Sequence, residues 1–441
     1  MKRLKRRTYT LLSFALASSA LGFCGFFVAK GDTKLFNRSN QVVIARDGNR
    51  SVFTMMNDYQ GDAKDFARIV PIPVVPKRED LSIGDPSIIK KLDAYSAPRL
   101  VEYFDQDPCE PDVVYDAVPM PSAVPAPQAS SVARAGALGV KIEASYQVGE
   151  YDIVILSAKQ QNGLATYLRG EGYKLPAGAD EMLGSYIKGG MKFFVVRVNM
   201  ERFDKSGGGF LNPIVLSYTS DKFMLPIRLG TLNSPGEQDL TVYLLSPYGR
   251  VETSNYRTAP VPTDKEVPLL VQNQFEPFYR HVFRKAYERE GKSVAFMEYA
   301  WNTSNCDPCA GEPPTAAELT KAGVFWKQQE GFGGRSVPLP PPGQGSIRPS
   351  GNGEAKPVFL TRLHVRYTRA TFPEDLQFKL TDNQGTFQGR YILRHPAEGG
   401  KTCAATKSYT ASLKRRAELQ AQTLANLTGW DINHIRQRMA E

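Results

Sequence analysis

Residues 52–76 read VFTMMNDYQGDAKDFARIVPIPVVP, with two apolar runs on either side of the polar Gln60-Gly61-Asp62. Such a pattern predicts two β-strands joined by a turn. The prolines at positions 71, 73 and 76 lack a backbone N–H, so they indicate a sheet edge or the exit from the second strand. A similar but less regular residue order recurs at 218–227. It is compatible with an internal duplication, and the alternative is that unrelated strands share this composition.

Strand and helix signals continue outward from this run in both directions. Arg46-Asp47-Gly48-Asn49 lies between two apolar segments, which is typical of a β-hairpin. Asp85-Pro86 predicts the start of a short helix, and the apolar stripe at 275–290 predicts a longer one. Further helices are expected at 157–167 and 177–187, and further strands at 140–148, 153–156, 192–199, 214–218, 223–229, 240–246, 293–299, 358–368, 376–380 and 388–395.

Two stretches rich in Pro, Ala, Ser or Gly interrupt these elements, a loop or linker at 117–139 and a loop at 311–357. Such composition buries too little apolar surface to order itself. The stretches separate an N-terminal β-rich part (21–116), a central α+β part (140–310) and a C-terminal part (358–441) that ends in a basic helix at 412–427. We therefore predict an α+β fold with an antiparallel β-rich core, peripheral helices and two long loops.

The first twenty residues have the form of a signal peptide. Five basic residues precede an apolar stretch, and Ser18-Ser19-Ala20 places small residues where a signal peptidase cleaves. The apolar stretch is short for a membrane anchor, and the bulky Phe23 before Cys24 disfavours a lipid anchor there. We expect an exported protein, in the periplasm, at the cell surface or secreted, with no integral membrane span in the mature chain.

Charge and motifs limit the function classes. Removing residues 1–20 lowers the formal net charge from +10 to +5, which is too mild a positive charge to indicate nucleic acid as a partner. The sequence contains no Gly-x-Ser-x-Gly, His-Glu-x-x-His or P-loop motif. Asp58, Asp62 and Asp65 do not follow a calcium-loop spacing and are better explained as turn caps. We predict neither a metal nor a cofactor.

A basic face is expected on the strand at 358–368. Because side chains alternate along a strand, Arg362, His364 and Arg366 share one face. Arg390 and Arg394 share a face of a later strand in the same way. If the two strands are neighbours, these side chains form a patch able to hold an acidic polymer, a phosphate or a partner's carboxylate. The alternative is a solvated face balanced by scattered acids.

The five cysteines are the remaining candidates. In an exported chain they allow two bridges and one leftover thiol. Asp-Pro-Cys occurs twice, each time just before a Pro-rich loop, so a bridge at each site would pin the base of that loop. We expect Cys109, Cys306 and Cys309, with Cys24 or Cys403, to be structural, and we leave their pairing open.

Two function classes remain. The first is a non-catalytic binding or structural module that contacts an envelope polymer or another envelope protein. The alternative is an exported thiol–disulfide redox enzyme that uses the Cys306–Cys309 pair. Such an enzyme needs its first thiol at an exposed helix N-terminus, and Pro308 disfavours a helix there. The sequence therefore favours the first class.

Several long motifs are spread over the chain. They are CGFFVAK at 24–30, YQGD at 59–62 with VPIP at 70–73, GSYIK at 184–188 with KFF at 192–194, CDPC at 306–309, GRY at 389–391 with RHP at 394–396, and LTGWDI at 427–432. Together they resemble the bacterial exported family called domain of unknown function 2330. The chain departs from the family pattern at Phe26, where a glycine is frequent, and at Ala397, where an aromatic residue is common. The resemblance implies export and a shared fold, and it carries no activity.

Overall fold

The structure is a computed structural model that describes residues 26–29, 40–57, 66–109, 140–160, 162–199, 201–202, 211–233, 236–327, 356–398 and 403–440. Several predicted features lie outside the described residues. They are the signal peptide, Cys24, the turn at 60–62, the aspartates at 58, 62 and 65, the loop at 117–139, and residues 328–355 of the loop at 311–357.

The described chain contains both strands and helices, with the following bounds. The strands are β1 (Phe26–Ala29), β2 (Asn40–Asp47), β3 (Arg50–Asn57), β4 (Phe66–Ile72), β5 (Leu81–Ile83), β6 (Arg99–Phe104), β7 (Lys141–Val148), β8 (Tyr151–Ser157), β9 (Lys192–Val198), β10 (Leu211–Thr219), β11 (Met224–Leu225), β12 (Gln238–Ser246), β13 (Val251–Thr253), β14 (Arg257–Pro260), β15 (Lys265–Glu266), β16 (Val294–Asn302), β17 (Phe359–Tyr367), β18 (Leu376–Leu380), β19 (Phe387–Gln388) and β20 (Arg390–His395). The helices are α1 (Pro86–Ser96), α2 (Gly163–Gly170), α3 (Ala179–Lys188), α4 (Phe275–Arg289), α5 (Ala316–Lys321), α6 (Ala404–Thr428) and α7 (Ile432–Ala440).

A nine-stranded mixed sheet lies at the centre, in the order β14-β16-β17-β12-β2-β3-β10-β5, with β19 paired to β16. Strands β2 and β3 form the predicted hairpin, with Val42 opposite Met55. Gly48 in its turn has φ 56°, which explains the Asp-Gly signal, since glycine adopts that conformation without steric cost. Strand β12 runs parallel to β2 and antiparallel to β17, so the sheet is mixed.

A second sheet is antiparallel throughout, in the order β1-β4-β9-β8-β7. The two strands predicted within residues 52–76 are therefore present as β3 and β4, but they lie in different sheets. Pro71 pairs with Phe193 of β9, whereas the described pairing of β1 with β4 stops at Ile69. Pro71, which lacks a backbone N–H, thus lies beyond the described hydrogen-bond ladder between β1 and β4. This agrees with the prediction that the prolines mark a sheet edge or the exit from the strand.

The two sheets pack face to face, and helices cover their outer faces. Alternation along β2 directs Val42 and Ile44 into the core between the sheets, and Val43 and Ala45 into a second core under helix α1. Burying an aliphatic side chain of this size contributes about 1.5–3 kcal/mol. Helices α2 and α3 cover the outer face of the five-stranded sheet, and α1, α4 and α5 cover that of the nine-stranded sheet. The predicted α+β class is confirmed.

Helix α1 shows how local sequence positions these layers. Asp85 is its N-cap, with a carboxylate that accepts from the backbone N–H of Ser87 at 2.9 Å, and Pro86 occupies the first turn. Ile88, Ile89 and Leu92 form the buried face of the helix. One sequence expectation fails nearby in the sheet, because the strand predicted at 223–229 is only β11 followed by a 3₁₀ turn at Arg228–Asn233.

The C-terminal helix is longer than predicted, since α6 starts at Ala404 and ends where Gly429 adopts φ 75°. It packs with α4 and α7 on a small parallel sheet, β15-β20-β6. A disulfide joins Cys403, just before α6, to Cys109, just after β6, with 5.8 Å between their Cα atoms. None of the described helices is both long enough and apolar enough to cross a membrane.

Candidate functional site

The predicted basic patch does not form, for two reasons of placement. Arg362, His364 and Arg366 do share one face of β17, but that face lies under helices α1 and α4. The strand that carries Arg390 and Arg394 is β20, in the small parallel sheet, whereas β17 is paired with β12 and β16. The expectation of one joint patch is therefore wrong. On β17 the alternative of a solvated face is wrong as well, because only 10% of the Arg362 side chain is exposed. Arg390 and Arg394 are part-exposed and paired with Asp264 and Glu266, as that alternative expects.

Glu298 is the centre of the charge cluster on β17. It is the extra residue at a β-bulge, where the pairing of β16 with β17 shifts register between Met297 and Tyr299. Its carboxylate is 1% exposed, accepts from Arg362 Nε at 2.6 Å, and lies 2.8 Å from Nδ1 of His364. The bulge thus directs the Glu298 carboxylate toward Arg362 and His364, which lie on one face of the neighbouring strand β17.

The charges in this cluster set each other's pKa. Burial alone would raise the pKa of Glu298, but the charges of His364 and Arg362 lower it to about 2. Burial alone would lower the pKa of His364, yet the charge of Glu298 and the hydrogen bonds to Asp239 and Glu298 raise it to about 9. Both groups are therefore ionised at neutral pH and neutralise each other.

The remaining members close the cluster against solvent. Arg366 donates to both carboxylate oxygens of Asp239 at 2.8 Å, and Arg362 donates to Asp93 of α1 at 2.7 Å. The ring of Phe283 from α4 stacks on His364 with 3.8 Å between centroids. These basic groups have acidic partners and a covering helix, so they stabilise the packing of α1 and α4 and do not present charge to a ligand.

Arg394, by contrast, lies in an open groove of about 330 Å³. The groove is bounded by α6, α7, the end of β20 and the segment before α4. Three arginines line it, Arg394, Arg416 and Arg438. Its apolar walls are formed by Pro268, Leu269, Leu270, Pro396, Leu413, Ala417 and Met439, and Gln420 is its other polar residue. An apolar cleft with converging cationic groups has the general character of a ligand site.

Two of the three arginines are held in place by acids behind them. Arg416 donates to both oxygens of Asp105, at 3.1 and 2.6 Å. Arg394 donates to Glu266 at 3.1 Å, and Gln420 donates to the other oxygen of Glu266 at 2.9 Å. Burial opposes ionisation of Asp105, but its hydrogen bonds from Arg416 and Tyr409 keep its pKa below the usual range. The guanidinium groups are therefore oriented before any ligand arrives.

Arg438 differs from the other two. It is exposed, and its contact within the described chain is a hydrogen bond to Oε1 of Gln274 at 3.2 Å. Among the described residues no carboxylate lies within ion-pair distance of it. With Arg394 and Arg416 offset by Asp105 and Glu266, the charge of Arg438 gives the groove its positive character.

A larger cavity of about 440 Å³ lies where β3, β5 and β10 meet the end of α5. Its two cations are already engaged, since Lys321 pairs with Asp85 at 3.0 Å and Arg50 lies 4.3 Å above the ring of Phe325. In the groove, by contrast, Arg438 has no carboxylate partner among the described residues, so we regard the groove as the better candidate site.

A family model described as an uncharacterized protein conserved in bacteria, DUF2330, matches residues 18–379. The chain belongs to the DUF2330 family. No curated protein and no solved structure matches it. The DUF2330 match covers both large sheets except β19 and ends within β18. Strand β20 and helices α6 and α7, which form most of the groove, lie beyond the matched residues.

The four described cysteines of this DUF2330 protein fall into two groups. Cys109 and Cys403 are bonded to each other, whereas Cys306 and Cys309 carry free thiols. Neither free thiol lies at a helix N-terminus, because both precede α5, which begins at Ala316. In both Asp-Pro-Cys motifs the cysteine N–H donates to the aspartate, at 2.9 Å for Cys109 and 3.0 Å for Cys309. The described residues contain no group of three or more His, Cys, Asp or Glu side chains that could hold a metal ion.

Sequence reasoning found Arg394 but missed the other arginines of the groove. Arg416 lies within the helix predicted at 412–427, yet nothing local marks it as facing a cleft. Its partner Asp105 is 311 positions away, and no sequence pattern links residues so far apart. Arg438 lies in α7, where an amphipathic pattern over 432–440 was the signal available.

Proposed function

We propose that this DUF2330 protein is an exported, non-catalytic binding module of the bacterial envelope, and that its groove takes a ligand with one anionic group and an apolar body. The observation that carries the proposal is the groove itself, in which Arg438 has no carboxylate partner among the described residues and faces apolar walls. Export is supported by the basic and apolar pattern of the first twenty residues.

The chemistry of the walls determines the ligand class. Guanidinium groups bind carboxylates and phosphates through paired, charge-assisted hydrogen bonds. Leu269, Leu270 and Leu413 offer apolar contact to the rest of the ligand. The groove is lined by arginine, glutamine, proline and aliphatic side chains, which include no nucleophile and no general base. The site therefore favours binding over catalysis.

Calorimetric titration of the mature chain with octyl phosphate tests the groove. We expect saturable binding that weakens as salt is added, and weaker or no binding of the neutral octanol. Replacing Arg438→Gln should weaken octyl phosphate binding about tenfold, because hydrogen bonds to charged groups contribute roughly 1.5 kcal/mol or more.

The matched control is Arg415→Gln, which removes an exposed positive charge from α6 at a position outside the groove lining. We expect this variant to bind like the parent. Equal weakening in both variants would show that only the overall charge matters, and no binding of octyl phosphate would refute the groove as the ligand site.

Export is tested separately by N-terminal sequencing of the protein from bacterial envelope and secreted fractions. Cleavage after Ala20 should give a chain that begins at Leu21. An intact Met1, or a lipid on Cys24, would contradict the simple cleavage model.

A further inference from the structure

The two free thiols of the described chain lie in one short loop between β16 and α5. Cys306 is exposed and Cys309 is half-buried. Asp307 between them is buried and anchors the loop, because its carboxylate accepts from Tyr299 OH at 2.9 Å and from Gln388 Nε2 at 3.0 Å. The loop therefore holds two thiols three positions apart in a fixed frame.

The turn that carries Cys309 is closed by two hydrogen bonds. The N–H of Cys309 donates to Oδ1 of Asp307 at 3.0 Å, and the N–H of Ala310 donates to the carbonyl of Asp307 at 3.2 Å. Aspartate at the first position and proline at the second are the residues that this kind of turn prefers. The matching turn at 107–109 presents Cys109 to a second sulfur, that of Cys403.

Two arginines surround Cys309. Nη1 of Arg390 lies 3.6 Å from the Cys309 sulfur, and Arg99 donates to the Cys309 carbonyl at 3.0 Å. Arg390 is fixed on its other side by Asp264 at 2.6 Å. The guanidinium of Arg390 thus holds the Cys309 sulfur in place, and a thiolate sulfur is the form that attacks disulfides.

We propose that Cys306 and Cys309 form a dithiol site that exchanges electrons with the disulfide of a partner protein. The exposed Cys306, as thiolate, attacks one sulfur of the partner's disulfide. The partner's S–S bond breaks, and its second sulfur leaves with the electron pair and takes up the proton that Cys306 released.

The second step closes the internal bond. The Cys309 thiolate beside Arg390 attacks the Cys306 sulfur of the mixed disulfide, and the partner's first sulfur leaves and takes up the proton from Cys309. The partner's disulfide is reduced by two electrons to two thiols, and the two cysteines are oxidised to one disulfide. This activity does not depend on the groove or on its ligand.

Glutathione disulfide is the probe for the test, with the mature full-length chain alkylated at intervals and mapped by mass spectrometry. We expect the parent protein to form the Cys306–Cys309 disulfide and release two glutathione molecules per disulfide consumed. Cys309→Ser should accumulate glutathione bound to Cys306. Arg390→Met should resolve the mixed disulfide about tenfold more slowly, because it removes the charged donor that holds the Cys309 sulfur, and a hydrogen bond to a charged group contributes roughly 1.5 kcal/mol.

The matched control is Arg250→Met, which removes a similarly half-buried, paired arginine elsewhere on the protein and should resolve at the parental rate. Unchanged resolution in Arg390→Met, or no trapped adduct in Cys309→Ser, would overturn the proposal. So would a native bond from Cys306 or Cys309 to Cys24. Exchange is also measured on the parent protein alone in glutathione buffers, where the Cys306–Cys309 disulfide should form and be reduced again. A Cys306–Cys309 disulfide that reduced glutathione cannot open would refute exchange, whatever the variants do.

Discussion

Raising the pH should deprotonate His364 and weaken the fold. The ring lies between Glu298 and Asp239, with its nitrogens 2.8 and 3.3 Å from their oxygens, and only 17% of the side chain is exposed. Arg362 and Arg366 share the same two carboxylates, and Phe283 covers the ring. Losing the proton leaves both carboxylates with one positive partner fewer in a poorly solvated space.

The magnitude follows from the pKa of His364, which is raised from 6.5 to about 9 in the folded protein. A group whose folded pKa is raised stabilises the fold fully below its unfolded pKa, and this contribution is lost as pH rises through the folded pKa. At 1.36 kcal/mol per pKa unit, about 3 kcal/mol should disappear between about pH 6.5 and pH 9.

Urea denaturation across that pH window measures the effect in the parent and in His364→Gln, which keeps a polar side chain but cannot take the charge. The parent should lose about 3 kcal/mol more than the variant, because all other titratable groups are present in both proteins and their contributions cancel. Parallel stability curves for the two proteins would refute the assignment of a buried imidazolium.

Three further perturbations follow from the packing. Arg362→Met should destabilise the protein by about 3–5 kcal/mol in urea denaturation, because it removes a cation from the buried Glu298. The control Arg369→Met breaks an exposed pair with Glu181 and should cost less than about 1 kcal/mol. Asp85→Ala should cost about 1 kcal/mol through the lost N-cap of α1, and an unchanged unfolding midpoint would contradict that cap. Replacing Cys109 and Cys403 together by Ser should lower the free energy of unfolding by up to about 5 kcal/mol, since the disulfide joins residues 294 positions apart. Faster amide hydrogen exchange should appear first at the start of α6.

Local signals predicted the elements well wherever one side chain or turn decides the conformation. The Asp-Gly turn of β2–β3, the cap of α1 at Asp85 and the glycine stop of α6 at Gly429 all act within a few residues. Alternation also placed Arg362, His364 and Arg366 on one face of β17, as the structure confirms. These features depend on interactions that the sequence places side by side.

The assembly of the sheets was not predictable in the same way. Nothing in residues 52–76 indicates that β3 and β4 separate into two sheets, because strands of one hairpin and strands of two packed sheets show the same apolar pattern. The acids that neutralise the arginine face lie far away in sequence, with Asp93 in α1 and Glu298 on a bulge of β16. Long-range pairing of this kind turned an expected ligand patch into a buried charge cluster.

Strand β20 links the two sites we propose. Tyr391 and Leu393 are buried in the core beneath α4 and α6, and alternation therefore directs Arg390 and Arg394 to the opposite face of the same strand. Arg390 reaches the Cys309 sulfur near one end of β20, whereas Arg394 reaches the groove near the other. The strand runs parallel to β6, which leads to the Cys109–Cys403 bond at the start of α6. A single packed strand thus fixes both guanidinium groups, so each site is rigid without contributing to the chemistry of the other.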